Sequence, residues 1–112
     1  MNLKILEDKT VDEVMTEDQK VMAADAFADA MGIEFNVAVE ILPALWKKAI
    51  PSKDYKVGYP DKDFLMLTEP EAMMKRLNEI EPLALYATLN MLGAIPSSIH
   101  DWNGILGGKR RA

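Results

Sequence analysis

Prolines and helix-capping residues cut this chain into short pieces, which rules out long helices and long strands as its building blocks. Thr10 stands three residues before Glu13, and Thr16 three before Gln19. That is the spacing of a capping box, in which each side chain satisfies a free N–H of the other's backbone. Thr68-Glu69-Pro70-Glu71 repeats the signal with a proline in the first turn, where a missing N–H costs nothing. Gly32 and Gly93 each follow an apolar-periodic run, as residues just past a helix end do. Pro51 and Pro82 mark further joints. The punctuation predicts helices over about 17–31, 36–50, 69–80 and 82–93. A short turn follows Thr10, and a last short turn contains Trp102. Residues 2–6 alternate briefly and read as an extended arm or a short edge strand, and 51–63 read as a loop rich in Pro, Gly and charge, with a short strand at Tyr55, Val57 and Tyr59 as the alternative.

One segment supports two readings. Ile33, Phe35, Val37, Val39 and Ile41 alternate with Glu34, Asn36, Ala38 and Glu40, the period of a strand. Ala38, Ile41, Leu42, Leu45 and Ala49 fall at helical spacing instead. The strand pattern stops at Ile41 while the helical face runs on to Ala49, so the helix explains more residues. Asn36 is its expected N-cap, Lys47 and Lys48 complement its C-terminal dipole, and Pro43 is expected to kink it. The expected fold is therefore all-α, a compact bundle of five or six short helices with proline-marked joints. A strand at 33–41 would make it α+β. Residues 1–106 form the single domain of this reading, and 107–112, Gly-Gly-Lys-Arg-Arg-Ala, form a basic tail.

Ala28, Gly32, Ile33, Ala38 and Ile41 lie at the spacing of a helix-turn-helix, and at these few positions the segment resembles that of bacterial repressors. Ala28 would let two helices cross closely, Gly32 would make the turn, and the other three would pack inward. The resemblance implies a DNA-reading second helix, yet its outward positions are Glu34, Asn36, Val37 and Glu40. Base readout needs Arg, Lys, Gln, Asn or Ser there, with cations on the phosphates. Two carboxylates facing a polyanion repel it.

Charge separates along the chain. The net charge is −5, with ten acids against three bases in residues 1–40 and three bases with no side-chain acid in the last eleven residues. Such a field does not favour nucleic acid. The absence of cysteine excludes disulfides, thiolate metal sites and Cys nucleophiles. The first residues lack the pattern of a secretory signal, and Leu83–Ile95 is too short to span a bilayer, so a cytoplasmic, non-membrane protein is expected. Ser98, His100 and Asp101 supply the residue types of a catalytic triad but stand too close in sequence to aim at one another. Asp61 and Asp63 lack the further oxygen ligands and glycine of a calcium loop. Glu79 and Glu81 straddle a helix joint. No enzyme activity, metal or cofactor is expected.

These observations leave a small interaction module, such as an adaptor, an assembly factor or an inhibitor of a larger complex. Eight methionines suit adaptable contact surfaces as well as irregular cores. Helix 82–93 is apolar almost all round, so it is either central to the fold or half covered by a partner. The expected partner-binding residues are Met73, Met74, Tyr86 and Met91, where exposed, with Lys109, Arg110 and Arg111 as electrostatic anchors. A protein partner is expected, and a second copy of the chain is one candidate. The alternative is a nucleic-acid-associated regulator that touches phosphates through Lys47, Lys48, Lys53, Lys56 and the tail.

Overall fold

The computed structural model describes residues 10–51 and 59–96, and among these the backbone forms six helices and no strand. They are α1 (Val11–Val14), α2 (Glu17–Met31), α3 (Phe35–Lys48), α4 (Lys62–Leu65), α5 (Pro70–Leu77) and α6 (Pro82–Met91). The chain is all-α, a bundle of short helices. The arm at 2–6, the turn containing Trp102 and the basic tail lie outside the described residues.

The capping signals at Thr10 and Thr16 act where the sequence puts them, whereas α5 starts with Glu69 rather than Thr68 as its N-cap and without a side-chain cap bond, Pro70 supplying the start. The Gln19 amide N–H donates to Thr16 Oγ1 at 3.1 Å, and the Thr16 N–H donates to Gln19 Oε1 at 2.9 Å. Thr10 N–H donates to Glu13 Oε1 at 2.9 Å, which starts α1. Gly32 ends α2 in the left-handed region at φ 71°, and Ile33 N–H donates back to Ala28 O at 3.0 Å. Helix α3 begins immediately after, with Glu34 rather than Asn36 as its N-cap, because the amides of Val37 and Ala38 both donate to Glu34 O. Segment 33–41 is thus helical from Phe35 onward, and the strand alternative is excluded. Helix α3 continues through Pro43 to Lys48.

Several boundaries differ from expectation: α3 ends at Lys48 and α6 at Met91, each two residues early. Helix α5 ends at Leu77, not at 80. The residue before Pro82 is biased away from helix, so the chain turns through 78–80 before α6 begins. The expected loop 51–63 gives way at Lys62 to α4, which the Asp61 carboxylate caps by accepting from Asp63 N–H at 2.9 Å and Phe64 N–H at 3.2 Å. One short helical turn needs only four residues, too few to show a period in sequence.

Helix α3 is the hub, packing on α1, α2, α5 and α6. Its buried face, Ala38, Ile41, Leu42, Leu45 and Trp46, meets Phe27 and Ala28 of α2, Met73 of α5, and Leu85 and Leu89 of α6 in one core. Each fully buried large aliphatic side chain contributes about 1.5–3 kcal/mol. Phe27 and Phe64 add a tilted ring pair at 6.4 Å between centroids. Trp46 Nε1 donates to Ala94 O at 3.2 Å, and Lys48 Nζ donates to Leu77 O, tying α3 to the ends of α6 and α5. Helix α6 is central: five consecutive residues, Leu85 to Leu89, are buried. Among them Thr88 uses its hydroxyl twice, donating to Ala84 O and accepting from Asp61 N–H, each at 2.7 Å.

Gly93 and Gly32 allow a paired test. Both have positive φ. A Cβ on Gly32 would meet nothing within 4 Å, so Gly32→Ala should cost only the left-handed backbone penalty, about 1 kcal/mol. A Cβ on Gly93 would stand 3.3 Å from Ala26 Cβ, so Gly93→Ala should cost more by crowding α2. Urea unfolding of both variants checks the order. Equal losses would mean that Gly93 is not held against α2.

Candidate functional site

Phe35, Val39 and Pro43 stand four residues apart on α3 and therefore share one face of it, beside the face that forms the core. They are exposed to solvent, Phe35 by 40% and Val39 by 45%. Val21 on α2, 56% exposed, faces the same space. Val21, Ala24, Val39, Pro43 and Trp46 line a groove of about 310 Å³ between α2 and α3, completed at one end by Asp12, Glu17 and Lys20. Trp46 is almost wholly buried and forms part of the floor. The corner that creates this geometry is the Ala28–Gly32–Ile33 turn, which crosses α2 and α3 closely where Ala28 and Ala38 are small and buried.

Two features set the electrostatics of the groove. Lys20 Nζ lies 3.0 Å from Asp12 Oδ1 and 3.8 Å from Glu17 Oε2. The hydrogen bond to Asp12 raises the Lys20 ammonium above its ordinary value, against the opposing effect of burial and with help from the charges of both carboxylates. Pro43, having no N–H, cannot give the Val39 carbonyl its ordinary helical hydrogen bond. The charged residues lining the groove are two acids, Asp12 and Glu17, and one cation, Lys20.

The residues singled out in sequence are placed differently. Met73 and Tyr86 are core residues, fully buried or nearly so, and cannot form a partner surface. Met73 faces inward because α5 packs its apolar face on α3, and Tyr86 because α6 is enclosed. Burial pushes the Tyr86 phenol above its ordinary range. Met74 is half-buried against the core, and Met91 is 60% exposed, apart from the groove residues. Lys47 is exposed, whereas Lys48 is half-buried on the Leu77 carbonyl. Lys53, Lys56, Lys109, Arg110 and Arg111 lie outside the described residues, as do Ser98, His100 and Asp101.

Of the outward positions of the corner's second helix, Glu34, Asn36 and Glu40 are exposed and Val37 is half-buried. Asp61 is occupied as a cap and as the partner of Arg76, whose Nη2 lies 2.6 Å from Asp61 Oδ2. Burial alone would raise the Asp61 carboxyl. The Arg76 hydrogen bond, the Phe64 and Asp63 amides and the Arg76 charge outweigh burial and hold it below the ordinary carboxylate value. Among the described residues no group of three His, Asp or Glu side chains is arranged to hold a metal ion, and no helix is long and apolar enough to cross a membrane.

Comparison of the chain with protein-family models, with curated proteins and with solved structures gives no match. The fold and the groove therefore define the class by themselves: a small all-α bundle with an apolar groove, flanked by an ion-paired Asp12–Lys20–Glu17 cluster, at a tight helix corner.

Proposed function

We propose that this chain is a non-catalytic protein-interaction module and that the α2–α3 groove is its contact surface. The observation that carries the reading is the second apolar stripe on α3. Phe35, Val39 and Pro43 are not needed to fill the core, yet with Val21 they leave adjoining apolar surface open to water. Grouped apolar exposure, unlike scattered single residues, marks contact sites on small proteins. The carboxylates of the chain that stand at this groove already hold Lys20, an arrangement suited to recognition rather than to acid–base chemistry. A nucleic-acid role gains nothing from the corner, because its exposed second helix presents Glu34 and Glu40 to any phosphate.

Three baits test the reading in extracts of the cells that make the protein: the unaltered chain, Val39→Asp and Met91→Asp. Both substitutions fall at exposed positions and should change stability by less than about 0.5 kcal/mol. The expected result is a specific set of proteins retained by the unaltered chain and by Met91→Asp but lost from Val39→Asp. Identical sets on all three baits would contradict the groove as contact surface.

A further inference from the structure

Resting on the groove as contact surface, we propose that its occupant is a basic peptide segment of another protein, with aliphatic side chains on the apolar floor and a Lys or Arg at the acidic end. The floor of Val21, Ala24, Val39, Pro43 and Trp46 offers a ligand nothing but apolar contact. The charged groups that a ligand would meet are the Asp12 and Glu17 carboxylates and the Lys20 ammonium paired with them, two acids against one base. The surroundings have the same sign. Asp18 and Asp25 beyond Val21, and Glu40 next to Val39, are exposed. From residue 10 to residue 40 the chain has eight acids and one base, Lys20. An acidic partner would meet repulsion along both helices, and a wholly apolar one would leave the net negative charge at the groove unused.

Lys20 occupies the position that the ligand's cation would take. Its pair with Asp12 is only partly buried, with side-chain exposures of 25% and 26%. Exposed pairs of this kind contribute at most about 1 kcal/mol, so an incoming cation can displace it. The consequence is a gain of function on removing a charge: Lys20→Gln leaves Asp12 and Glu17 unpaired and should tighten binding of a basic ligand.

The test uses the full chain carrying Trp102→Phe, so that Trp46 is its only tryptophan and reports on the groove floor. Three short synthetic peptides serve as probes: an amphipathic leucine–lysine helix, its leucine–glutamate counterpart, and a lysine–serine peptide without apolar side chains. Peptide anisotropy reads binding anywhere on the protein, and Trp46 emission reads binding in the groove. The leucine–lysine peptide should change Trp46 emission saturably, and each of the other two should bind at least about tenfold more weakly, the scale of one lost hot-spot contact. Val39→Asn should weaken the leucine–lysine peptide by a similar factor. Lys20→Gln should strengthen it severalfold, while Lys75→Gln on α5 should not.

Equal or tighter binding of the leucine–glutamate peptide would overturn the proposal, as would binding that leaves Trp46 silent or a weaker affinity in Lys20→Gln. Self-association of the chain that is abolished by Val39→Asn would also overturn it, by assigning the groove to a second copy. If the basic probe fails while the Val39→Asp bait still loses its set of proteins, the contact surface stands and only the chemistry of its occupant falls.

Discussion

Leu42→Ala should lower the unfolding free energy by about 2–5 kcal/mol, the range for deleting a fully buried leucine and leaving a cavity. Leu42 has no solvent exposure and sits on the face of α3 that joins α2, α5 and α6. Walls contributed by so many elements cannot collapse independently into the space, which favours the upper part of that range. Domains of this size have about 5–15 kcal/mol in total, so the variant should be near its folding threshold at 37 °C. Val39→Ala, three residues earlier on the same helix, removes a half-exposed side chain and should shift stability by less than about 0.5 kcal/mol. Urea unfolding followed by circular dichroism measures both. Comparable losses would mean that the exposed stripe of α3 is part of the core after all.

Asp61→Ala should cost about 2 kcal/mol near neutral pH, because one side chain serves several groups. Its Oδ1 caps α4, and loss of a cap costs about 1 kcal/mol. Its Oδ2 takes both Arg76 Nε at 3.0 Å and Nη2 at 2.6 Å, bonds strengthened by charge. The Asp61 side chain is only 9% exposed, so water replaces these contacts poorly. The sign of the pH dependence follows from the depressed folded-state value. Asp61 stabilises the fold fully above its unfolded value, near 3.8, and that contribution disappears as pH falls from there through the lower folded value. Unfolding midpoints of the unaltered chain and of Asp61→Asn should therefore differ at neutral pH and converge below pH 3.8. A difference that persists unchanged into strong acid would show that the ionised carboxylate is not what Arg76 holds.

The fold was largely legible because its punctuation is chemical. Thr16 with Gln19, Gly32, and prolines 70 and 82 each do locally what their residue types require, and the longest helix runs from residue 17 to residue 31 as its caps imply. Helix α4 was not legible, since Asp61 becomes a cap only when Thr88 and Arg76 are brought to it from later in the chain. The groove was half legible. The alternation from Ile33 to Ile41 that competes with the helical reading has a physical cause: α3 carries more apolar residues than one helix face can bury. Phe35 and Val39 were read as evidence for a strand when they are the surplus that stays outside. Methionine content did not separate core from surface, because Met73 fills the core while Met22, Met66 and Met91 stand exposed.

The central claim is that the second stripe of α3 exists for contact. A photo-reactive amino acid placed singly at Val21, Val39, Tyr59, Met66 or Met91, in the cells that make the protein, tests it most directly. All five are exposed apolar positions, from 45% at Val39 to 78% at Tyr59 and Met66, so reactivity alone cannot distinguish them. Discrete covalent adducts confined to positions 21 and 39 are the result the account predicts. Adducts confined to 59, 66 or 91, or none at 21 and 39, would contradict it.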